Sequence, residues 1–258
     1  MLDYAAFPQQ RQALIREILQ DKGRVVCADL ARQLAVSEHT IRRDLHELSK
    51  EGLCKKVYGG AVLQLQEAGS FVSRKAHDHA AKALIAQRCA SLVKANSCIF
   101  IDAGTTNLAL ALAQALSPDL NITVVTNAPD IAALLINHPA AEVIMLGGQI
   151  QKSTGGAVGQ TAINQIQGIL FDQAFIGGCA MSPEAGLTGF NYADCEFKKV
   201  AMAQSNQIIV GLTADKIPAV ARFSVAKCRE ISTLVVEEKL DKELLEAFEA
   251  EEITLITV

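Results

Sequence analysis

Beyond residue 96 the chain alternates short apolar runs with longer stretches in which apolar residues recur at helical spacing. The runs are SCIFID, NITVVTN, AEVIMLGG, FDQAFIGG, QIIVGL, STLVVEE and ITLITV. Nearly continuous apolar strands that alternate with helices are typical of a mostly parallel sheet covered on both faces. The pattern therefore predicts an α/β fold for this part of the chain.

The first 62 residues instead show three helical patterns in close succession. Pro8 opens the first helix and Gly23 is placed to end it, and a second helix reads CADLARQLA. After a short connection, Ser37 is a suitable N-cap for a third helix, SEHTIRRDLHELSKEG. Three helices with a tight turn before the third predict a helix-turn-helix.

The third helix carries three stripes of side chains. One faces the core and contains Ile41, Leu45 and Leu48. Almost opposite lies a His/Arg stripe with spacing i, i+3, i+4, i+7, made of His39, Arg42, Arg43 and His46. A largely acidic flank between them contains Thr40, Asp44, Glu47 and Glu51. The His/Arg stripe is either a solvated helix face or the side of a recognition helix that enters the major groove, where Arg reads guanine.

The segment after this helix, GLCKKVYGGAV, predicts a short strand followed by a tight turn at Gly59-Gly60. Lys55 and Lys56 lie on the strand, and Tyr58 precedes the turn. A wing of this kind would contact the phosphate backbone and position the head without reading sequence.

The chain is expected to divide into two domains of different net charge. We interpret 63–75 as a linker between a winged helix-turn-helix at 6–62 and a larger α/β domain at 76–258. The net charge is −4, yet the first 62 residues hold ten basic and eight acidic residues, and the remainder hold 14 and 20. A mildly basic head on an acidic body is typical of a nucleic-acid-binding module joined to another domain.

Four of the apolar runs end in polar or glycine-rich turns, at 102–106, 126–127, 147–148 and 177–178. In a parallel sheet these ends meet at one edge, where ligands of α/β proteins bind. The first turn reads DAGTTN: Gly104 permits close approach, and Thr105 and Thr106 offer amides and hydroxyls at a helix N-terminus. Asp102 would repel a phosphate and more naturally meets a sugar hydroxyl or a backbone amide. An ordinary βα turn is the alternative interpretation of this loop.

Several classes of protein are excluded by what the chain lacks. It has no Walker A loop and no Gly-x-Gly-x-x-Gly, so no cofactor is expected. Seven scattered cysteines without a Cys-x-x-Cys pair argue against a metal site or a disulfide framework. No run reaches the roughly 18 apolar residues of a membrane helix, and no secretory signal is recognisable at the N-terminus, so we expect a soluble, cytoplasmic protein.

Two sequence patterns in the head resemble the DNA-binding signature of the DeoR family of bacterial transcription regulators. They are Arg11-x3-Ile15 and Ser37-x2-Thr40-Ile41-Arg42-Arg43-Asp44-Leu45. The family's wing commonly ends in Arg-x-His-Gly-Gly-Ala, where this chain reads Lys56-Val57-Tyr58-Gly59-Gly60-Ala61. Lys keeps the charge of Arg but loses its bidentate reach. The DNA-contacting residues implied are Ser37, His39, Thr40, Arg42, Arg43, His46, Lys55, Lys56 and Tyr58.

The resemblance continues through the larger domain. The DeoR-type sensor domain carries an Asp-x-Gly-Thr-Thr loop, a Thr-Asn, a Gly-Gly and an Asp-x-x-Phe-x-Gly in this order, and the chain has them at 102–106, 126–127, 147–148 and 172–177. The resemblance implies a fold similar to ribose-5-phosphate isomerase and a pocket for a phosphorylated sugar or related metabolite. The ligand-binding residues implied are Asp102, Gly104, Thr105, Thr106, Asn127, Gly148, Glu196, Lys199 and Lys216.

Two of these positions are less well defined. In GLTGFNYADCEFKK the acidic position is open between Asp194 and Glu196, and a solvated helix start with paired charges is a further interpretation. The family tends to show Asp-x-Ser-Lys after the next strand, where this chain has Thr-Ala-Asp-Lys ending at Lys216. The Lys is kept and the Asp is displaced, which bears on the identity of the ligand.

Together these features predict a DNA-binding regulator, by family habit a repressor, whose operator affinity a phosphorylated sugar or polyol controls. The alternative is a sugar-phosphate isomerase-like enzyme with an accessory DNA-binding head, since the chain has carboxylates and lysines that could act as base and electrophile. A DNA-binding head has little use on an isomerase, so we expect no catalysis. A homodimer or homotetramer would place two heads on a repeated or palindromic operator.

Overall fold

A computed structural model describes residues 7–66, 79–103 and 106–258 of the chain. It contains a small N-terminal head and a larger α/β body. No helix of the described residues is long and apolar enough to cross a membrane.

The head begins with three helices: α1 (Pro8–Lys22), α2 (Cys27–Gln33) and α3 (Glu38–Lys50). Gly23 ends α1 in the left-handed conformation, φ 70°, and its N–H donates to the Leu19 carbonyl. Ser37 caps α3, because its hydroxyl oxygen accepts the Thr40 N–H at 3.1 Å. The predicted helices and both of these end signals are confirmed.

An antiparallel three-stranded sheet completes the head. Its strands are β1 (Arg24–Val26), β2 (Cys54–Val57) and β3 (Gly60–Leu63), in the order β1-β3-β2. The turn between β2 and β3 is the predicted Gly59-Gly60 pair, with Gly59 at φ 77°. A Cβ atom on Gly60 would lie 1.9 Å from the Val25 carbonyl oxygen, so only glycine allows β1 this close to β3.

The head is held together by an apolar core and one buried ion pair. Ile15 and Leu19 of α1 pack against the predicted core stripe of α3. Beside them Arg11 Nε lies 2.5 Å from Asp44 Oδ2, and both side chains are about 4% exposed. Within the acidic flank of α3, Asp44 is therefore buried, because its side of the helix faces α1.

The body is built on a seven-stranded sheet in which all neighbouring strands are parallel, in the order β15-β14-β12-β9-β4-β5-β6. The strands are β4 (Cys98–Ile101), β5 (Ile122–Thr126), β6 (Ala141–Met145), β9 (Phe171–Ile176), β12 (Ser205–Leu212), β14 (Thr233–Val236) and β15 (Thr254–Thr257). They coincide with the seven apolar runs, and the predicted α/β fold with a large parallel sheet is confirmed.

Helices cover both faces of this sheet. One face packs against α4 (His79–Ser91), α5 (Thr106–Ala115) and α6 (Pro129–Leu135). The other packs against α7 (Gln160–Ile166), α8 (Tyr192–Ala203) and α9 (Lys242–Glu249). Phe100 of β4 illustrates the second core, since its ring lies 5.6 Å from that of Phe171 and 5.9 Å from that of Phe197.

Two small antiparallel sheets flank the carboxyl ends of the large sheet. One pairs β7 (Gln149–Ile150) with β8 (Ala157–Val158), and the other joins β10 (Ala180–Ser182), β11 (Gly186–Gly189) and β13 (Phe223–Ala226). Both lie among the turns that the sequence marked as candidate ligand contacts.

Replacing Asp44 by Ala would remove the carboxylate that the buried Arg11 guanidinium contacts. Breaking one side of a buried ion pair costs about 3–5 kcal/mol, so Asp44→Ala should lower the free energy of unfolding of the head by about that amount. Urea unfolding of the full chain, followed by circular dichroism, measures the change. Asp29→Ala is the matched control, because Asp29 pairs with Arg32 on the exposed surface, where a pair contributes about 0–1 kcal/mol. Equal destabilisation of the two variants would contradict a special role for the buried pair.

Candidate functional site

Helix α3 presents its predicted stripe to solvent. His39, Arg42, Arg43 and His46 are all exposed on the side of α3 opposite its buried residues. Arg42 Nη2 lies 2.5 Å from Glu38 Oε2 one turn earlier, an exposed pair that a nucleic-acid phosphate or base could replace. The wing extends the same chemistry, because Lys55, Lys56 and Tyr58 are exposed and Tyr58 is fully so. Their contact with DNA stays a prediction.

Ser37 and Thr40 are committed to the start of α3. Besides capping the helix, the Ser37 hydroxyl lies 2.9 Å from that of Thr40. Both hydroxyls therefore shape the turn before the recognition helix. A DNA contact from either would be added to this structural role.

In the body, polar residues meet where strands β4, β5 and β9 end. We call this the strand-end rim, and it comprises Asp102, Thr126, Asn127, Gly177 and Gly178. Asp102 Oδ2 accepts the Gly177 N–H at 3.0 Å, which links the ends of β4 and β9. Asp102 is fully buried. The predicted convergence of these strand ends is therefore present in the structure.

Asn127 is a connector within the strand-end rim. Its Oδ1 accepts the Ala103 N–H at 3.0 Å, and its Nδ2 donates to the Ala157 carbonyl at 3.0 Å. The side chain is fully buried and holds the backbone after β4 against β8. It thus positions the start of the DAGTTN loop.

Gly148 has a packing role. Its φ is 149°, and a Cβ there would lie 2.9 Å from the Val158 carbonyl oxygen, so a side chain would push β8 away. Gly156 makes a similar close approach, because a Cβ on it would lie 2.9 Å from Asn127 Nδ2. The glycines allow β8 to close over Asn127.

A buried lysine of α8 reaches the strand-end rim. Lys198 Nζ lies 2.6 Å from Asp194 Oδ2 and 3.4 Å from Asp102 Oδ2, and all three side chains are almost fully buried. Burial by itself would lower the pKa of Lys198, yet the carboxylates of Asp102 and Asp194 outweigh it and raise that pKa. Lys198 is thus a permanent cation under the rim.

Asp194 has one oxygen that no described residue hydrogen-bonds. Its Oδ2 pairs with Lys198, while Oδ1 is buried and finds no partner among the described residues. The Asp194 N–H is satisfied by Asn191, which caps α8 at 3.0 Å. A buried carboxylate oxygen without a donor is uncommon in folded proteins, and a ligand hydroxyl is one way to satisfy it.

The structure separates Glu196 and Lys199 from this group. They pair with each other at 2.7 Å on the more exposed side of α8, while Asp194 and Lys198 face inward. Sequence reasoning left the acidic position open between Asp194 and Glu196, and Asp194 is the one beside Asp102. It missed Lys198, although the i, i+4 spacing of Asp194 and Lys198 was a visible signal.

Lys216 lies at the same end of the sheet. It belongs to a short 3-10 turn at 214–216, and its Nζ donates to the Gly178 carbonyl at 3.2 Å. Burial is the main cause that lowers the pKa of Lys216; Cys179 and Asp215 act against it, and Lys82 and Lys198 add to it. Lys216 and Lys198 thus both lie near the strand-end rim.

The phosphate loop itself falls partly outside the described residues. Gly104, Thr105 and the side chain of Thr106 are among the residues not described, so their predicted phosphate contacts stay predictions. Helix α5 begins at Thr106, as the sequence indicated.

An exposed His/Arg helix in a winged head, joined to an α/β domain with buried charges at its strand ends, defines a DNA-binding regulator with a ligand-sensing body. Two family descriptions match in this order: DeoR-like helix-turn-helix domain over residues 11–67 and DeoR C terminal sensor domain over residues 77–238. The chain belongs to the DeoR family of transcription regulators.

Relatives similar along most of their length agree with this assignment. The HTH-type transcriptional regulator GolR of Listeria innocua is 33% identical over 245 residues, which cover 94% of this chain and 96% of GolR. The Glycerol-3-phosphate regulon repressor of Escherichia coli is 30% identical over 202 residues, covering 78% of this chain and 79% of the repressor. Because such relatives are transcription regulators, the chain is a regulator, and the isomerase-like alternative is not supported.

Solved ribose 5-phosphate isomerases overlap only part of the chain. The enzyme of Methanocaldococcus jannaschii is 15% identical with a TM-score of 0.38, over 52% of each chain. That of Neisseria gonorrhoeae is 15% identical with a TM-score of 0.39, over 55% of this chain and 53% of its own. Overlaps of this extent carry no conclusion about what the chain binds.

Replacing Lys198 by Met would leave the carboxylates of Asp102 and Asp194 buried together without their shared cation. We expect a loss of about 3–5 kcal/mol in the free energy of unfolding at pH 8, the cost of breaking a buried pair. The loss should shrink at pH 5, because protonating one carboxyl group in the folded variant relieves the repulsion. Denaturant unfolding at the two pH values tests this. Lys199→Met, which breaks an exposed pair, should cost about 0–1 kcal/mol, and a larger effect from Lys199 would reverse the assignment.

Proposed function

We propose that the chain is a repressor whose affinity for its DNA operator is lowered by a phosphorylated sugar or polyol bound at the strand-end rim. Similarity to the Glycerol-3-phosphate regulon repressor supports this class of effector. The observation that carries the proposal is the convergence of Lys198 and Lys216 on the rim beside Asp102. Binding DNA also assigns the protein to the cytoplasm, where an operator is accessible.

We assign the phosphate to Lys216 and the loop at 104–106. Burial and two neighbouring lysines oppose the charge of Lys216, so a phosphate dianion placed beside it would stabilise the protonated amine. The amides of Gly104, Thr105 and Thr106 would donate to the same phosphate from the N-terminus of α5. An anion here would compensate Lys216, whereas Lys198 already has Asp102 and Asp194 as partners.

The remaining polar groups suit the hydroxyls of the effector. Asp194 Oδ1 is a buried acceptor that a hydroxyl could satisfy, and Asp102 lies on the other side of Lys198. Lys198 holds both carboxylates in place. Asn127 and Gly148 act indirectly, by holding β8 and the backbone after β4 in position. Glu196 and Lys199 have no part in this arrangement.

In the head, α3 would enter the major groove with the His/Arg stripe toward base edges and phosphates. Lys55, Lys56 and Tyr58 of the wing would contact the phosphate backbone and set the register. A homodimer or homotetramer would present two such helices to a repeated or palindromic operator. An effector that prefers the arrangement unable to bind the operator shifts the population, and a coupling of about 1–3 kcal/mol changes operator affinity by roughly 5- to 150-fold.

The double variant Arg42→Ala/Arg43→Ala should weaken binding to a duplex selected from random sequence by the wild-type protein by at least about tenfold. The reason is that a single bidentate Arg–guanine contact contributes about 1–3 kcal/mol. Fluorescence anisotropy at fixed salt measures the affinity. Arg88→Ala/Arg229→Ala removes the same charge from exposed positions of the body and is the control. Unchanged affinity in the first variant would rule out α3 as the recognition helix.

A thermal-shift series with glycerol 3-phosphate and a panel of sugar phosphates tests the effector site. A bound compound at a hundred times its Kd stabilises the folded state by about 2.7 kcal/mol. Lys216→Met and Thr105→Ala/Thr106→Ala should each abolish the shift, while Lys199→Met should retain it. A shift lost with Lys199→Met would return Lys199 to the site, as the sequence implied, and a shift kept with Lys216→Met would remove Lys216 from it. No shift with any phosphorylated compound would refute this class of effector.

A further inference from the structure

The head contacts the body through a segment that also carries Lys216. We call residues 213–221 the bridging segment. At its C-terminal part the Val220 N–H donates to the Leu63 carbonyl at 2.9 Å, and the Leu65 N–H donates to the Val220 carbonyl at 2.9 Å. Gln64 and Val220 thereby form an isolated parallel bridge. The chain leaving β3 is thus hydrogen-bonded to the body at the first residues of the segment interpreted as the linker, 63–75.

Two further contacts fix the head at this place. The C-terminal end of α1 packs against Pro218 so closely that a Cβ on Gly23 would lie 2.3 Å from the Pro218 carbonyl oxygen. Arg24 Nη1 of β1 lies 3.5 Å from Glu184 Oε1 in the turn between β10 and β11. Both elements of the head, the end of α1 and the small sheet, are therefore held by the body.

The other end of the bridging segment belongs to the strand-end rim. Lys216 Nζ donates to the Gly178 carbonyl at 3.2 Å, and the Ala214 N–H donates to Glu237 Oε2 at 2.8 Å. Lys216 and Val220 are only four positions apart in the chain, a reach of at most about 13–14 Å. The effector contact and the head contact are thus neighbours along one short piece of chain.

The middle of the bridging segment is packed tightly enough to transmit a shift. Ala219 and Ala221 are 2% exposed and form a small cluster with Ala180, against which Leu65 of the head and Cys179 pack. The Ala219 N–H donates to the Met181 carbonyl at 3.0 Å. Densely packed interiors move in discrete steps and do not deform smoothly, so a displacement at one end is felt at the other.

The head–body interface is less well filled. A groove of about 240 Å³, open to solvent, lies between Ile18, Lys22 and Leu30 of the head and Pro218 and Leu244 of the body. The head and the body are therefore not fully packed together along this part of their interface.

We propose that the bridging segment couples the strand-end rim to the DNA-binding head, by fixing the orientation of the head through Leu63, Leu65 and Gly23. This inference rests on the function proposed above. The docked head leaves the His/Arg stripe of α3 exposed, so the contact acts through orientation and does not cover the DNA-binding face. A ligand at Lys216 that moves the segment would change the angle at which α3 is presented.

Because allosteric coupling is reciprocal, DNA bound to the head should also change the bridging segment. That change can be measured without an effector. Amide hydrogen exchange of the full chain, measured with and without the selected duplex, should change in peptides that cover 213–221 and 176–182. Leu65→Pro removes the N–H that bonds to Val220, and we expect it to abolish this change while the duplex is still bound. Gln66→Pro, at the next position, is the matched control and should behave as wild type.

A charge exchange gives an independent second pair of variants. Glu184→Lys would repel Arg24 and should reduce the exchange response of 213–221, and Arg24→Glu/Glu184→Lys should restore it. Glu249→Lys, an exposed charge reversal on α9, controls for net charge.

The outcomes separate the two proposals. If selection from random sequence yields no duplex that the wild-type protein binds, the proposed operator binding is refuted and this inference with it. A duplex that binds but leaves 213–221 unchanged, or the same change in Leu65→Pro and wild type, would overturn the inference alone. A response lost in Leu65→Pro and in Glu184→Lys, and regained in the double charge exchange, would support it.

Discussion

The body depends on the interaction of the buried Lys198 cation with two carboxylates. A charge removed from water must be paired, and Lys198 is paired twice, with Asp194 on its own helix and with Asp102 at the end of β4. Asp102 in turn accepts the Gly177 N–H at the end of β9. Helix α8 and two adjacent strands are therefore held at one point, and that point is where the strand ends form a polar rim. The structural requirement and the candidate binding chemistry involve the same atoms.

The head also contains a buried ion pair. Arg11 and Asp44 are buried together, so α3 can take only the angle to α1 at which guanidinium and carboxylate meet. The apolar stripe of α3 could tolerate some rotation, whereas a buried ion pair tolerates little. The pair thereby acts together with the apolar stripe in fixing which side of α3 faces solvent, and the exposed side carries the His/Arg stripe.

The function follows from joining these two rigid units. A sensor works only if an effector bound to the body changes the orientation of the head. The short segment from Lys216 to Val220 connects the body and the head in space. The fold alone would suit an enzyme equally well, since charged groups at the ends of parallel strands also serve catalysis. What distinguishes this chain is the DNA-binding head and its full-length similarity to transcription regulators.

The sequence by itself determined the local elements: seven apolar runs became seven parallel strands, Ser37 capped α3, and the exposed stripe was visible from its spacing. Convergence of the strand ends also followed, because parallel strands share one edge.

Only the tertiary structure decided between the two charge pairs of α8. Asp194–Lys198 and Glu196–Lys199 both have helical spacing, and local pattern cannot say which pair faces the sheet. The rotation of α8, set by burial of Phe197 and Cys195 against the sheet, turned Lys198 inward and left Lys199 in solvent. The burial of Asp44 against Arg11 could not be predicted for the same reason, since its partner lies 33 residues away on another helix.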